Sequence, residues 1–311
     1  MANYNKKKRK GLAAILVMAI VIVLGGGTAF AYPYLETAYS PKAQVLAALQ
    51  TAGEESKQGM QTMISEVSDL LTGQTQLTGN VTFTRAELDG KDYYFDEEGK
   101  YDSTKVRPMV ALTYDDGPGQ YTEKLLQCLQ ENNAKATFFM LGENAEKYPD
   151  IVKELKDAGM ELGNHTYDHQ ILTSLSQDQI SSEISKANEA IQNGAGVPAD
   201  TLRPPGGSCN ETVQQLANMP IIKWSLDTKD WKTKSADKTY QKVMDNVQDG
   251  SVVLMHDIHE WSVEASLRMI PELVEKGYKL VTVQELAEAK GITLENGKVY
   301  YYFGEGTQQV E

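Results

Sequence analysis

The chain has 311 residues, 41% hydrophobic and 23% charged, an ordinary balance for one large or two modest folded domains that excludes disorder as the main state. A formal net charge of -13 excludes nucleic acid or an anionic membrane surface as the main partner of the bulk of the chain. With only two cysteines, Cys128 and Cys209, there is no disulfide framework, and an exported setting permits one bridge between them without implying it.

A local cluster of positive charge stands at the start, where Lys6, Lys7, Lys8, Arg9 and Lys10 precede an uncharged run from Gly11 to Leu35. Leu12 to Leu24 is almost unbroken apolar sequence, and a basic flank before such a run is how chains enter or cross a membrane. Residues 1–34 are therefore expected to form a cytoplasmic tail and signal-anchor, with the rest of the chain extracytoplasmic. Ala29-Phe30-Ala31 offers a small-x-small cleavage site that would release the protein. The segment is also long enough to span roughly 30 Å of hydrocarbon, and a retained anchor is the favoured reading.

Residues 35–74 place Val45, Leu46, Leu49, Met60, Met63, Ile64 and Val67 at helical spacing, which predicts a helical spacer. Residues 75–105 change to the alternation Val81-Thr82-Phe83-Thr84, followed by hairpin punctuation from Asp89-Gly90 to Gly99. A similar aromatic stretch, Asn296 to Gly304, lies in the C-terminal segment 291–311. Both resemble single hairpins of aromatic cell-wall-binding repeats. Such repeats bury their faces on neighbours and need about three copies, so ordinary aromatic hairpins packed on the main domain are expected.

Residues 106–290 alternate short apolar strands with amphipathic helical stretches. The expected strands are Met109 to Thr113, Ala136 to Leu141, Met160 to Asn164, Thr201 to Arg203, Ile221 to Leu226, Ser251 to His256 and Lys279 to Val283. Helices are expected at Gln120 to Asn132, Asn144 to Ala158, Gln177 to Ile191, Glu211 to Ala217, Ala236 to Val247 and Ser262 to Lys276. This α/β alternation predicts a barrel of about seven parallel strands, with the chemistry at the carboxyl ends of the strands.

Five of the seven expected strands end in Asp, His or Arg, a placement that core packing does not explain. The first runs into Asp115-Asp116-Gly117-Pro118, two adjacent carboxylates that repel unless a proton, a metal ion or a basic side chain compensates them. The third runs into Asn164-His165-Thr166-Tyr167-Asp168-His169, and two histidines at i, i+4 can point two ring nitrogens at one metal ion. A carboxylate from the first strand end would complete a two-His, one-Asp site with an open position. Arg203-Pro204-Pro205-Gly206-Gly207, Asp227-Thr228-Lys229-Asp230-Trp231 and Leu254-Met255-His256-Asp257 follow the fourth, fifth and sixth strands. His259, the last of four histidines, reads as a surface residue.

Taken in order, Thr113-Tyr114-Asp115-Asp116-Gly117-Pro118, His165 to His169, Arg203-Pro204-Pro205-Gly206, Asp227 to Trp231 and Leu254-Met255-His256 make the chain resemble the polysaccharide deacetylase family, carbohydrate esterase family four. The resemblance covers roughly residues 106–286. It implies a distorted (β/α) barrel with fewer than eight strands, a divalent metal, and removal of acetyl groups from sugar polymers. Asp116, His165 and His169 are then the ligands of a divalent metal, with zinc the usual candidate and cobalt, nickel or manganese as alternatives. Asp115 becomes the general base, oriented and kept charged by Arg203, and His256 the general acid, kept protonated by Asp230. Gly206 would offer its N–H to the oxyanion, while Trp231 and Leu254 would wall a small acetyl pocket. Many relatives carry Tyr where this chain has Gly206, which alters the groove wall.

The expected substrate is peptidoglycan N-acetylglucosamine, since an anchored enzyme with a spacer reaches what surrounds its own cell, and a monomer is expected. The alternatives are an O-acetyl esterase on xylan or another glycan, and a non-catalytic cell-wall-binding protein.

Overall fold

Asp89-Gly90 is the kind of dipeptide that suits a two-residue hairpin connection. In the computed structural model it lies between β1 (Thr84–Leu88) and β2 (Lys91–Phe95), which pair antiparallel with Leu88 opposite Lys91. The hairpin therefore starts earlier than the aromatic run that suggested it, with Thr84 opposite Phe95. The structure describes residues 84–88, 91–95, 107–304 and 309–310. The expected signal-anchor (1–34) and helical spacer (35–74) lie outside these residues. No helix among the described residues is long and apolar enough to cross a membrane. The chain divides into two units, Met1–Arg107 and Pro108–Glu311.

In the second unit, β3 (Met109–Asp115) is followed by α1 (Thr122–Glu131), β4 (Thr137–Met140), α2 (Gly142–Lys147), α3 (Pro149–Asp157), β5 (Glu161–Asn164) and α4 (Gln177–Ala195). Then come β6 (Thr201–Leu202), α5 (Glu211–Ala217), β7 (Ile221–Ile222), β8 (Leu226–Asp227), α6 (Asp230–Thr233) and α7 (Ala236–Asn246). β9 (Val252–His256), α8 (Glu260–Glu275), β10 (Lys279–Leu280), α9 (Val283–Ala289), β11 (Val299–Tyr300) and β12 (Gln309–Val310) complete it. The sheet runs β12-β11-β7-β6-β5-β4-β3-β9-β8, with β10 also paired to β3. All its strands are parallel except β12, which pairs antiparallel with β11.

Alternation along β3 divides its side chains between two cores. Val110, Leu112 and Tyr114 join the layer beneath the helices, with Leu125 and Leu129 of α1, Leu155 of α3 and Val263 and Ile270 of α8. Ala111 turns to the opposite face and packs with Phe139, Ile222, Val252, Tyr300 and Phe303 inside the curl of the sheet. By the same parity Thr113 and Asp115 share the inner face with Ala111. Burying such strands on both faces is what parallel sheets do, and it explains why β3 reads as a near-continuous apolar run.

Three expectations change. The stretch Asn144 to Ala158 forms two helices, because Pro149 cannot donate to a continuing helix and instead starts α3. Ile221 to Leu226 splits into β7 and β8: Lys223 N–H bonds to Tyr300 O, whereas Ser225 N–H bonds to Val252 O. Residues 223–225 thus carry the chain from one side of the sheet to the other, and a bridge between Ser251 and Tyr302 ties the same two sides. The result is a curled, half-closed barrel. Finally, the antiparallel partner of Asn296 to Gly304 lies outside that stretch: β11 pairs antiparallel with β12 and parallel with β7, and Tyr300 and Phe303 are buried in the inner core. The split strand and β11 bring the parallel strands to nine among the described residues, against about seven expected. Cys128 and Cys209 are both free, so the permitted bridge is not made.

Candidate active site

Register places the first two chemical groups. β3 pairs with β9 so that Asp115 lies opposite His256 and Thr113 opposite Leu254, all on the inner face by parity. Arg203, wholly buried just after β6, reaches across to both neighbours of that face. Its Nη1 donates to Asp115 Oδ1 and to Thr113 Oγ1, each at 2.7 Å, while Nε and Nη2 donate to the main-chain oxygens of Ile222 (3.1 Å) and Lys223 (2.8 Å). The guanidinium also lies flat over Phe139, 4.0 Å from its ring centroid. Burial lowers the Arg203 pKa and the Asp115 carboxylate raises it, with the balance downward but far from neutrality at physiological pH.

Asp116 leaves the strand in a left-handed conformation (φ 70°), its N–H on Phe139 O and its carbonyl held by Asn144 Nδ2. Its next neighbour has to be glycine. A Cβ on Gly117 would lie 2.3 Å from Asp257 Oδ1, inside any tolerable contact. Asp257 is itself fully buried, accepts a short hydrogen bond from Thr122 Oγ1, and is pushed up to about 7 by burial.

The loop after β5 delivers the two imidazoles. His165 Nδ1 lies 2.6 Å from Arg203 O, and because a carbonyl only accepts, this nitrogen carries the proton and Nε2 keeps its lone pair. Burial lowers the His165 pKa against the pull of Asp115 and Asp116, so the ring stays neutral, as a metal ligand must. Its Nε2 is 3.4 Å from Asp116 Oδ1, and His169 Nε2 is 3.5 Å from the same oxygen. Thr166 and His169 hold positive φ (70° and 66°), a strain of about 1 kcal/mol or more each.

Side chains that carry no obvious chemistry hold this loop. Asn164 Oδ1 accepts the Thr166 N–H at 2.8 Å, and the buried carboxylate of Glu183 on α4 accepts the N–H groups of Tyr167 (3.0 Å) and Asp168 (3.3 Å). One ligand atom each from Asp116, His165 and His169 falls within a 4.8 Å cluster. Asp116 Oδ1 at its centre is buried without a hydrogen-bond partner among the described residues. An orphaned carboxylate oxygen facing two imidazoles fits a cation, and two nitrogens with one oxygen suit zinc or a similar divalent ion.

On the other flank, Asp230 at the start of α6 is fully buried and fully satisfied. Its Oδ1 accepts from His256 Nδ1 (2.9 Å) and Trp231 N, and its Oδ2 accepts from Ser262 Oγ (2.6 Å) and His256 N. Burial pushes this carboxyl up, but the bonds and charge of His256 outweigh it and leave its pKa below the ordinary value. For His256 burial acts downward, while the bond and charge of Asp230, with Asp115 and Asp116 behind, raise it to about 9. His256 Nε2 is 4.0 Å from Asp116 Oδ2, so the imidazolium faces the three-ligand cluster.

Gly206 lies in a tight turn at φ 62°, and its N–H meets no protein acceptor among the described residues. Leu254 is buried on the inner face of β9, whereas Trp231 is 50% exposed at the surface, projecting from a helix of only four residues. His259 is not a plain surface residue. Its ring centroid is 5.9 Å from that of His256, and it stacks on Trp261 at 4.7 Å. Asn144, Asn164, Glu183, Asp257 and Ser262 escaped the sequence reading. The spacing of Asn164, next to His165, and of Asp257, next to His256, was the only available signal.

A family model described as polysaccharide deacetylase matches residues 102–220. The peptidoglycan-N-acetylglucosamine deacetylase PgdA of Listeria monocytogenes is 38% identical over 198 residues, 63% of this chain and 42% of that protein, so the chain spans less than half of its length. The solved structure of peptidoglycan deacetylase PdaC from Bacillus subtilis superposes with a TM-score of 0.59 at 34% identity, covering 60% of this chain and 92% of that one. A peptidoglycan-N-acetylglucosamine deacetylase of Bacillus cereus is 40% identical over 202 residues, 62% of this chain and 72% of that protein. With that much of a relative covered at that identity, and with the family model on the same region, this chain belongs to the polysaccharide deacetylase family.

Proposed function

We propose that the protein is a metal-dependent hydrolase removing N-acetyl groups from cell-envelope polysaccharide, with N-acetylglucosamine of peptidoglycan as its substrate, held outside the cell by its N-terminal segment. The observation that carries this reading is the cluster of Asp116, His165 and His169, with the Arg203-paired Asp115 on one side and the Asp230-paired His256 facing it. The peptidoglycan choice is supported by the relatives named above and by the expected anchor.

Asp116, His165 and His169 would hold the ion, for which we propose zinc. When bound, such an ion supplies polarisation of the acetyl carbonyl and a lowered pKa for a nearby water, towards about 7. Asp115 takes the proton of that water, and its bond to Arg203 fixes the carboxylate in place while Oδ2 stays open towards the cluster. The free N–H of Gly206 helps to stabilise the negative oxygen that develops at the carbonyl carbon. His256, protonated on both nitrogens near neutral pH, gives its Nε2 proton to the departing amine nitrogen, and Asp230 stabilises the charge it carries beforehand. Without that proton an amide nitrogen is too basic a leaving group.

The test is acetate and free amine released from peptidoglycan, chitooligosaccharide and acetylated xylan side by side. Chelation should abolish release and zinc should restore it. Asp115→Asn should abolish turnover while bound metal stays near one ion per chain. Activity that survives chelation, or an Asp115→Asn enzyme keeping most of its rate, would overturn the mechanism. Release from xylan with none from the two amide substrates would replace it with the O-acetyl esterase reading.

A further inference from the structure

His259 and Trp261 take no part in the steps above, yet they pack onto the proposed proton donor. The His259 ring lies 5.9 Å from that of His256 and stacks on Trp261, 4.7 Å away with the planes 21° apart. Trp261 is fixed in turn, its Nε1–H donating to the main-chain oxygen of Asp230 at 3.0 Å. The stack is therefore tied to the same residue that orients His256. Both rings are partly exposed, and neither nitrogen of His259 has a hydrogen-bond partner among the described residues.

A substrate whose amide nitrogen reaches His256 Nε2 lays sugar near that ring, and His259, with its centroid 5.9 Å from that of His256, is close enough to meet it. A neutral imidazole offers one donor and one acceptor, which suits paired sugar hydroxyls, and burial together with the neighbouring His256 keeps His259 below its ordinary pKa. The indole, stacked against His259 and with Lys234 Nζ 6.0 Å from its ring centroid, backs the imidazole and adds a partly exposed apolar edge beside it. We infer that His259 and Trp261 form a subsite for the sugar next to the one losing its acetyl group, which makes His259 a determinant of preference for polymer over single sugar. The inference rests on the N-deacetylase reading.

The experiment compares kcat and KM on N-acetylglucosamine and on its β-linked tetramer, using the zinc-reconstituted protein. His259→Phe keeps the stack and removes both ring nitrogens. It should raise KM for the tetramer about fivefold to tenfold with kcat nearly unchanged, and have a clearly smaller effect on the single sugar. His259→Asn, which keeps a donor and an acceptor, should recover part of the loss. Equal losses on both substrates, a loss in kcat alone, or no effect on the tetramer would overturn the subsite. If His259→Phe fails to fold, His259→Ala carries the same comparison. A wild type that releases no acetate from either substrate fails the parent reading; one active on both, with His259→Phe unchanged, fails the subsite alone.

Discussion

Arg203→Met removes the buried guanidinium at the centre of the barrel while keeping a side chain that can still pack on Phe139. Three neutral acceptors, Thr113 Oγ1, Ile222 O and Lys223 O, lose their donors, and Asp115 is left nearly buried without its partner. Orphaned neutral acceptors cost about 1 kcal/mol each, and breaking a buried ion pair from one side costs about 3 to 5 kcal/mol, terms that overlap here. A destabilisation of about 5 kcal/mol is expected, comparable to the whole stability of many domains. Part of that cost comes from the abandoned carboxylate, so Asp115→Asn in the same chain should return about 2 kcal/mol. Urea unfolding of the two single variants, the double variant and the wild type, all in chelator, measures this. A cost below about 1 kcal/mol for Arg203→Met, or no relief from Asp115→Asn, would refute the account of a charge held by its partner.

Four further outcomes are expected. Glu183→Ala releases the Tyr167 and Asp168 amides and should weaken zinc binding about tenfold to a hundredfold by competition titration, and an unchanged affinity would show that the loop needs no such support. His256→Ala should cost far more on N-acetyl than on O-acetyl substrates. For the wild type, kcat on amide should fall at alkaline pH as the ring, held above its ordinary pKa by Asp230, loses the proton it donates, and a flat profile would remove it from that role. Asp257 is raised from 3.8 to about 7 in the folded chain, so its contribution to stability is complete below about pH 4 and lost as pH rises towards 7, at most about 4 kcal/mol. Asp257→Asn should flatten that part of the stability curve of the chelated protein, and an unaltered slope would place the titration elsewhere.

Strand ends are legible because chemistry obeys a positional rule that packing does not: Asp115, His165, Arg203 and His256 each stand at or just after the end of a strand. The three residues read as a ligand set do come together. What escaped was non-local. Nothing in Ile221 to Leu226 reveals that its two halves serve different neighbours, since β11 and β9 decide that from far along the chain. Glu183 looks like any charge on an amphipathic helix until the loop of His165 to His169 folds over it. The neighbours of His259 are non-local for the same reason: it is partly exposed, as expected, but it stacks on Trp261 beside His256. Pro149, by contrast, is a local signal that divides the helical stretch by itself.

The left-handed turns at Asp116, Thr166 and His169 set a trap for anyone engineering a hardier enzyme. A screen that scores heat resistance alone will be drawn to glycine or asparagine at these positions, where the backbone relaxes by about 1 kcal/mol apiece. Two of those gains would delete a ligand outright. Selection for robustness has to be coupled to a metal-retention readout, or it will enrich well-folded proteins with nothing left to do.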